Sequence, residues 1–212
     1  MRLVCLSDTH KLHDRLVIPD GDVLIHAGDM SGRGSLDDIA RCGAFFARLP
    51  HRHKVIIAGN HDFSFEDERA ERARAALGDV VYLQDQAAVI DGVKFYGSPW
   101  QPRFFDWAFN LDRGAPLKAK WDLIPADTDV LITHGPPQGI GDQCYDGARV
   151  GCEELLAALG RVRPRVHVFG HIHEAYGKTE LRHADGRVTI CVNASTCDLR
   201  YRAANPPVVI DI

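Results

Sequence analysis

Five short apolar runs, each followed closely by a polar residue, constrain the fold of this chain more than any other feature. The runs and the residues after them are Leu3–Leu6 before Ser7–His10, Val23–Ile25 before Gly28–Asp29, Val55–Ile57 before Gly59–His61, Val130–Ile132 before Thr133–His134, and Val168–Phe169 before Gly170–His173. Runs of this length fit strands that are buried on both faces of a sheet and joined by helical crossovers. The pattern predicts an α/β fold.

The polar ends of these strands predict a metal site. In open α/β sheets, ligands bind in the crevice beyond the carboxyl ends of the strands. The five strand ends supply eight side chains of metal-ligand type: Asp8, His10, Asp29, Asn60, His61, His134, His171 and His173. Carboxylate, amide and imidazole groups suit divalent cations, and eight of them exceed the needs of a single ion. We therefore expect two ions that share a bridging carboxylate.

Composition excludes several other classes of protein. A chain of 212 residues with 45% hydrophobic and 25% charged residues fits one domain spanning residues 1–212. A net charge of −4 gives no general attraction to a polyanion, so strong nucleic-acid binding is not expected. Because no run approaches ~18 apolar residues and no signal-peptide core is present, we expect no membrane association and a cytoplasmic location. The oligomeric state stays open.

Five sequence blocks carry a resemblance to a known family. In chain order they are Asp8-x-His10, Gly28-Asp29, Gly59-Asn60-His61-Asp62, His134 after a strand, and Gly170-His171-x-His173. Together they resemble the calcineurin-like metallophosphoesterase superfamily. The resemblance implies two mixed β-sheets packed as a sandwich and flanked by helices in four layers. It also implies a dinuclear metal centre that hydrolyses phosphoric esters.

The resemblance assigns a role to each matching position. It implies that Asp8, His10 and His173 hold one ion, that Asn60, His134 and His171 hold the other, and that Asp29 bridges them. A hydroxide bridging the two metals would attack the phosphorus atom. His61 is left to protonate the departing alkoxide as general acid, with Asp62 to orient it. Manganese is the first choice for both ions, with iron or zinc as alternatives.

A narrower resemblance concerns the second half of the chain. Thr133-His134-Gly135-Pro136-Pro137, Asn193-Ala194-Ser195-Thr196-Cys197 and Asn205-Pro206-Pro207 are similar to a subgroup that includes brain-expressed metallophosphoesterase-domain proteins and bacterial relatives. In some animal members, glycine replaces the first histidine of the Gly-His-x-His block, which implies weakened catalysis. His171 is present here. The complete ligand set therefore favours an enzyme over the alternative, a non-catalytic metal-binding scaffold.

Residues 98–110 bear on the choice of substrate because they contain five aromatic residues. These side chains either cover the edge of the core or stack on an aromatic group such as a nucleobase. Phe105 and Trp107 are candidates for stacking, and Arg33 and Arg103 are candidates for binding phosphate oxygens. We expect small phosphodiesters, with cyclic nucleotides as one example, to be the substrates. The alternative is a phosphomonoesterase acting on small molecules or on proteins.

Local patterns also predict the remaining elements. They indicate helices over 35–49, 66–77 and 153–159, antiparallel strands over 80–83 and 87–96, and strands near 188–193 and 207–212 that complete a second sheet. Alternation turns His26 away from the crevice, so we expect it to be a hydrogen-bonded core residue. The long loop over 135–151 is expected to form a wall of the pocket.

Overall fold

Thirteen strands and four α-helices follow one another along the chain, which the computed structural model describes from residue 1 to residue 212. The strands are β1 (Arg2–Leu6), β2 (Val23–Ala27), β3 (His53–Ile57), β4 (Val81–Tyr82), β5 (Gln86–Ile90), β6 (Val93–Ser98), β7 (Gln101–Pro102), β8 (Asn110–Leu111), β9 (Val130–Thr133), β10 (Val166–Phe169), β11 (Gly177–Arg182), β12 (Val188–Asn193) and β13 (Val208–Asp211). The helices are α1 (Leu36–Arg48), α2 (Ala70–Leu77), α3 (Ala115–Asp122) and α4 (Glu153–Val162).

The strands form two mixed sheets, as the resemblance implied. The first sheet has the order β13-β1-β2-β3-β4, and only β13 runs antiparallel to its neighbour. The second sheet has the order β11-β12-β10-β9-β6-β5, with a parallel centre and an antiparallel strand at each edge. Strands β7 and β8 form a separate two-stranded ladder.

Three hydrophobic clusters separate four layers. In β1, Leu3 and Cys5 belong to the cluster between the two sheets, whereas Val4 and Leu6 pack beneath helices α1 and α2. The outer face of the second sheet packs against α3 and α4, where Trp121 is almost fully buried. Both faces of the central strands are therefore covered, which explains their continuous apolar sequence. None of the helices has the length and apolarity needed to span a membrane.

Local hydrogen bonds and backbone conformations mark where the helices begin and end. Ser35 accepts a hydrogen bond from the Asp38 amide at 3.1 Å and so caps α1. Helix α2 begins at Ala70 rather than residue 66, and the Asp67 carboxylate accepts the Arg69 amide in the turn before it. Helix α4 passes residue 160 and ends only at Arg163, which adopts a left-handed conformation with φ 53°.

Two expectations about strand pairing were wrong. Strand β4 pairs parallel to β3 and so belongs to the first sheet, whereas only β5 and β6 form the expected antiparallel hairpin. Strand β13 pairs with β1 and completes the first sheet instead of the second. Helix α3 and strand β11 were not predicted at all. Pairing partners that are distant in sequence leave no local periodic signal, so the sequence pattern could not assign them.

The ligand-bearing strands are divided between the two sheets. Strands β1, β2 and β3 belong to the first sheet, and β9 and β10 belong to the second. Their carboxyl ends nevertheless meet, because the Gly170 amide donates to His134 O and the His134 ring contacts Ala27 O at 2.9 Å. The polar strand ends are thus collected at one edge of the sandwich, across the junction between the sheets.

Two fully buried histidines are part of the core rather than of the polar cluster. His26 is held by the Thr9 hydroxyl at 2.9 Å and accepts the Gly28 amide, as expected for a core residue. His167 donates through Nε2 to the Thr133 hydroxyl at 2.8 Å, since that hydroxyl already donates to a carbonyl oxygen. Burial lowers the pKa of both rings to about 3, so both are neutral at physiological pH.

We predict that these two rings make the fold sensitive to acid. Because the pKa is lowered in the folded state, the stabilisation is complete above about pH 6.5 and decreases as the pH falls toward 3. Between pH 6.5 and 5, each ring should lower the free energy of unfolding by about 2 kcal/mol. In urea unfolding, the free energy of unfolding of His167→Gln should depend less on pH than that of the wild type. The difference should correspond to about one proton fewer taken up on unfolding. An unchanged pH dependence would contradict this prediction.

Candidate metal centre

A cluster of acidic, amide and imidazole side chains lies where the five strands end. Three groups of potential ligands each have all their ligand atoms within 4.8 Å of one another. They are Asp8 with His10 and His173, His10 with Asp29 and His61, and Asp8 with Asp29 and His134. The groups share members, so they form one continuous cluster. The sequence correctly predicted that these strand ends meet.

Four of the predicted ligands have an unusual backbone conformation. Asp8, His10, Asp29 and His171 have φ of 51°, 41°, 58° and 67°, in the left-handed region. Each such residue costs about 1–3 kcal/mol and persists only when its surroundings enforce it. Here the Asp8 amide donates to Gly28 O, and the His10 amide donates to Asp29 O. Strain of this kind concentrates at functional sites, which supports a functional role for the cluster.

Two motif glycines are required by the close approach of the carboxylates. A Cβ atom on Gly59 would overlap Asp29 Oδ1, and a Cβ atom on Gly170 would overlap Asp8 Oδ2. Any side chain at either position would therefore displace a carboxylate from the cluster. This explains why glycine precedes Asn60 and His171 in their motifs.

The Asp8 carboxylate organises one side of the cluster. Its Oδ2 accepts hydrogen bonds from the His171 amide and from the Ser195 hydroxyl, both at 3.0 Å. Its Oδ1 faces His173 Nε2 at 3.3 Å and His10 Nε2 at 4.0 Å. The His173 ring donates through Nδ1 to Asp198 O at 3.1 Å, which directs its Nε2 toward the carboxylate.

Asp29 lies at the centre of the cluster. Its Oδ1 accepts the His61 amide at 2.8 Å. Its Oδ2 lies 3.4 Å from His134 Nε2, 3.8 Å from His10 Nε2 and 3.9 Å from His61 Nε2. One carboxylate oxygen thus faces imidazole nitrogens of three histidines.

His134 and Asn60 form the other side of the cluster. The His134 ring must donate through Nδ1 to Ala27 O, because a carbonyl oxygen can only accept. Its Nε2 lies 2.8 Å from Asn60 Oδ1. The His171 ring packs edge-on against His134, with the ring centroids 5.1 Å apart. These three side chains therefore present one oxygen and two imidazole rings to a common space.

Charge in the cluster is balanced by protons on two rings. Burial opposes a charge on His134 and on His173, but Asp29 and Asp8 respectively raise the pKa of these rings to about 9. Burial favours the neutral carboxylic acid of Asp8, but the neighbouring histidines hold the pKa of that carboxyl well below its usual range. Burial lowers the pKa of His10 to about 4 and of His171 to about 3, so both rings offer free lone pairs. A divalent cation can replace the two protons.

The residues present fit a dinuclear metal centre. Asp8 Oδ1 is buried and makes no hydrogen bond of normal geometry, although His173 Nε2 lies 3.3 Å away. Buried carboxylate oxygens without partners are costly unless a cation or donor satisfies them. The donor set combines carboxylate, amide and imidazole groups, which suits first-row divalent metals. The seven predicted ligands are sufficient for two ions that share Asp29.

His61 lies beside the cluster and is held on three sides. Its Nδ1 donates to Gly32 O at 2.8 Å, and its ring stacks on Trp107 with the centroids 4.2 Å apart. The His10 ring packs edge-on against the His61 ring, with the two ring centroids 4.6 Å apart. These contacts fix the ring and leave Nε2 facing the cluster. Gly32 and Trp107 orient it without any contact from the Asp62 carboxylate.

Asp62 stabilises the loops instead of contacting the His61 ring. The carboxylate accepts hydrogen bonds from the Gly59 amide at 2.9 Å, the Ser31 amide at 3.0 Å and the Ser31 hydroxyl at 2.7 Å. It therefore joins the loop after β2 to the loop after β3. The expected direct orientation of His61 by Asp62 is absent, because the Asp62 side chain is fully buried beneath the loop that carries His61.

A cavity of about 380 Å³ opens above the cluster. It is lined by cluster residues, by Arg103 and Phe104 after β7, and by parts of the 135–151 loop, as expected for that loop. Of the four predicted substrate-binding residues, only Arg103 lines this cavity. Phe105 is 75% exposed and outside the lining, and the Arg33 guanidinium lies 5.0 Å from the centre of the Trp107 ring.

Several residues of the site were not predicted as functional. Ser195 and Asp198 follow β12 and contact Asp8 and His173. Phe104 and Tyr201 line the cavity and pack edge-on against His171 and His10. Phe104 lies in the aromatic segment 98–110, but Phe105 and Trp107 were the residues of that segment predicted to stack on the substrate. Ser195 lies in the 193–197 block of the narrower resemblance, whereas Asp198 and Tyr201 follow no strand that carries a predicted ligand.

Comparison with known proteins relates the chain to one family. Residues 1–175 match the family model described as calcineurin-like phosphoesterase. Human metallophosphoesterase domain-containing protein 1 is 44% identical, over all of this chain and 71% of its own length. The UPF0046 protein C25E10.12 of Caenorhabditis elegans is 42% identical, over all of this chain and 81% of its own length.

Solved structures share the fold at much lower identity. TT1561 of Thermus thermophilus aligns with a TM-score of 0.58 and 14% identity, over 99% of this chain and 98% of its own. The NAD nucleotidase of Haemophilus influenzae aligns with a TM-score of 0.52 and 13% identity, over all of this chain and 49% of its own. These two structures show that the two-sheet architecture is shared.

The central position of Asp29 yields a prediction about metal content. We expect Asp29→Asn to bind neither ion tightly, because one carboxylate oxygen faces histidines of both halves. Mass-spectrometric metal analysis after dialysis against manganese should give about two ions per chain in the wild type. Asp37→Asn, an exposed position in α1, is the matched control and should keep both. Loss of only one ion from Asp29→Asn would contradict a bridging role.

Proposed function

We propose that this chain, which belongs to the calcineurin-like phosphoesterase family, hydrolyses small phosphodiesters at its strand-end cluster. Members of the family normally bind two divalent cations. The observation that carries the proposal is that Asp29, His61 and His173 line an open cavity of about 380 Å³ and belong to the same cluster as the buried Asp8. A volume of this size suits a single small substrate.

The ligand assignments are part of the proposal. Asp8, His10 and His173 hold one ion, Asn60, His134 and His171 hold the other, and Asp29 belongs to both. The short distances within each set support this division. Manganese is proposed as the metal in both positions, because the oxygen and imidazole donors suit it. When bound, such a pair supplies a strong nucleophile near neutral pH and stabilises negative charge on the phosphoryl oxygens.

The protein's own groups hold the reacting parts in position. Asp198 O fixes the tautomer of His173, and Ala27 O fixes the tautomer of His134. Each histidine therefore keeps its Nε2 directed into the cluster. The Ser195 hydroxyl and the His171 amide hold Asp8 Oδ2, so that Oδ1 alone faces the space between the imidazoles. The centre is thus preorganised before substrate arrives.

His61 is proposed as the general acid. The contacts of its ring with Gly32 O and Trp107 keep Nε2 at the edge of the cavity, 3.9 Å from Asp29 Oδ2. A proton on Nε2 can then be transferred to the leaving oxygen as its bond to phosphorus breaks. Because Nδ1 is engaged by the carbonyl oxygen, Nε2 is the atom that exchanges this proton.

The charge of the cavity supports a diester substrate over a monoester. A monoester carries two negative charges near neutral pH and is usually held by free guanidinium or ammonium groups. In this cavity, Arg103 is paired with Asp112 at 2.7 Å. The Arg113 guanidinium donates to Val150 O and Gly151 O, both at 2.8 Å. A singly charged diester needs no further cation beyond the metal centre.

The first test compares two chromogenic substrates. After chelation and return of manganese, we expect bis(p-nitrophenyl) phosphate to be cleaved faster than p-nitrophenyl phosphate. His171→Gly should lose this activity, because it removes one proposed ligand of the second ion. Cleavage of the monoester alone would shift the function to a phosphomonoesterase. Inactivity toward both substrates despite two bound ions would indicate a binding scaffold.

The second test isolates the acid role of His61. His61→Ala should keep its metal content and lose roughly 10²- to 10⁴-fold in turnover of diphenyl phosphate, whose phenolate is a poor leaving group. The loss should be much smaller for bis(p-nitrophenyl) phosphate, because p-nitrophenolate leaves readily without a proton. Equal losses for the two substrates would contradict general acid catalysis. Metal analysis of the variant controls for damage to the neighbouring centre.

A further inference from the structure

Tyr201 lies over the metal-ligand histidines, although it is far from every sequence block that supplies a ligand. Its ring meets His10 edge-on with the centroids 4.7 Å apart. It also meets His173 at 5.6 Å and His61 at 6.3 Å. The side chain is nevertheless 52% exposed and lines the cavity. One edge of the ring therefore covers the cluster, while much of the remaining surface is free for a ligand.

The turn that carries Tyr201 is tied to a metal-ligand histidine. Asp198 O accepts hydrogen bonds from the Tyr201 amide at 2.9 Å and from His173 Nδ1 at 3.1 Å. The Asp198 carboxylate accepts the amides of Arg200 and Arg202 at 2.9 and 3.0 Å, which closes the turn. Tyr201 itself has φ 53°, in the left-handed region. The chain thus maintains an unfavourable conformation that presents this ring to the cavity.

Other apolar side chains also line this cavity. Of the nine large hydrophobic residues that are exposed on the whole surface, four line this one cavity: Phe104, Val150, Leu199 and Tyr201. Phe104 is 48% exposed and meets the His171 ring edge-on at 5.7 Å. Phe104 and Tyr201 therefore contact histidines assigned to different ions. An exposed apolar group of this kind marks a binding surface.

The charged groups at the mouth do not favour a second phosphate. Arg103 is paired with Asp112, whereas Arg113 keeps its positive charge while it donates to two backbone carbonyl oxygens. Glu174 also lines the cavity and adds a negative charge beside it. The charge of Glu174 offsets that of Arg113, so the mouth carries no net positive charge that would attract a second anionic group. The part of the substrate that does not react should therefore be uncharged.

From these contacts we infer that Tyr201 determines specificity by binding an uncharged aromatic substituent of the phosphodiester, next to the metal centre. This inference rests on the proposed diesterase function and adds the chemical class of the group that stays on phosphorus. The half-exposed ring stacks on that substituent. Phe104, Val150 and Leu199 complete an apolar surface around it.

The test keeps the leaving group constant and changes only the group that stays on phosphorus. Bis(p-nitrophenyl) phosphate and methyl p-nitrophenyl phosphate both release p-nitrophenolate, so their ratio of kcat/KM reports on the second substituent. We expect Tyr201→Leu to lower the aryl-to-methyl ratio roughly five- to tenfold relative to the wild type, the scale of one stacked ring. Tyr201→Phe keeps the ring and should keep the ratio. Tyr145→Leu, at a tyrosine that is 84% exposed and outside the cavity lining, is the matched control.

A second measurement uses binding without turnover. Diphenylphosphinate and dimethylphosphinate are non-hydrolysable anions of equal charge, and titration calorimetry gives their affinities for the manganese-loaded protein. The wild type should prefer the diphenyl compound, and Tyr201→Leu should lose most of that preference. Tyr201→Phe and Tyr145→Leu should retain it.

The two measurements separate this inference from the proposed function. Active protein whose aryl-to-methyl ratio is the same in Tyr201→Leu overturns the role of Tyr201 and leaves the diesterase standing. Protein that cleaves neither diester, but whose preference for diphenylphosphinate depends on Tyr201, overturns the diesterase and supports the aromatic site. Equal affinity of the wild type for both phosphinates overturns the inference.

Discussion

Two buried carboxylates facing four imidazoles are the interaction on which the rest of this structure depends. Asp8 and Asp29 are almost completely removed from solvent. A buried anion without a cationic partner is strongly unfavourable, so the site requires protons or metal ions beside them. In the structure, raised pKa values of His134 and His173 supply that charge. Two divalent cations would supply it more fully, which connects the electrostatics of the folded chain to phosphoester chemistry.

The two-sheet architecture brings these groups together from distant parts of the sequence. Asp8 and Asp29 come from the first sheet, whereas His134 and His171 come from the second. The core between the sheets fixes their separation, because eighteen buried side chains pack there. Left-handed conformations at the strand ends then turn the ligands inward. Loss of packing between the sheets would therefore displace one half of the cluster from the other.

The sequence predicted the ligand-type residues at the ends of five apolar strands and missed residues that reach the site only through tertiary contacts. Asp29 and His134 each follow an apolar run, so a local pattern revealed them. The stacking of Trp107 on His61 joins residues 46 positions apart, and only tertiary structure brings them together. Tyr201 was missed for the same reason, and β13 was assigned to the wrong sheet because its partner β1 lies at the other end of the chain. Pairing between strands that are far apart in the chain gives no periodic pattern in the local sequence.

The central claim is that one cluster holds two cations with Asp29 between them. Anomalous X-ray diffraction from crystals grown with manganese tests it most directly, because each manganese ion produces its own peak. The account predicts two peaks about 3.5–4 Å apart. One should be bound by Asp8, His10 and His173, the other by Asn60, His134 and His171, and both by Asp29. A single peak, or a peak coordinated by His61, would contradict the account.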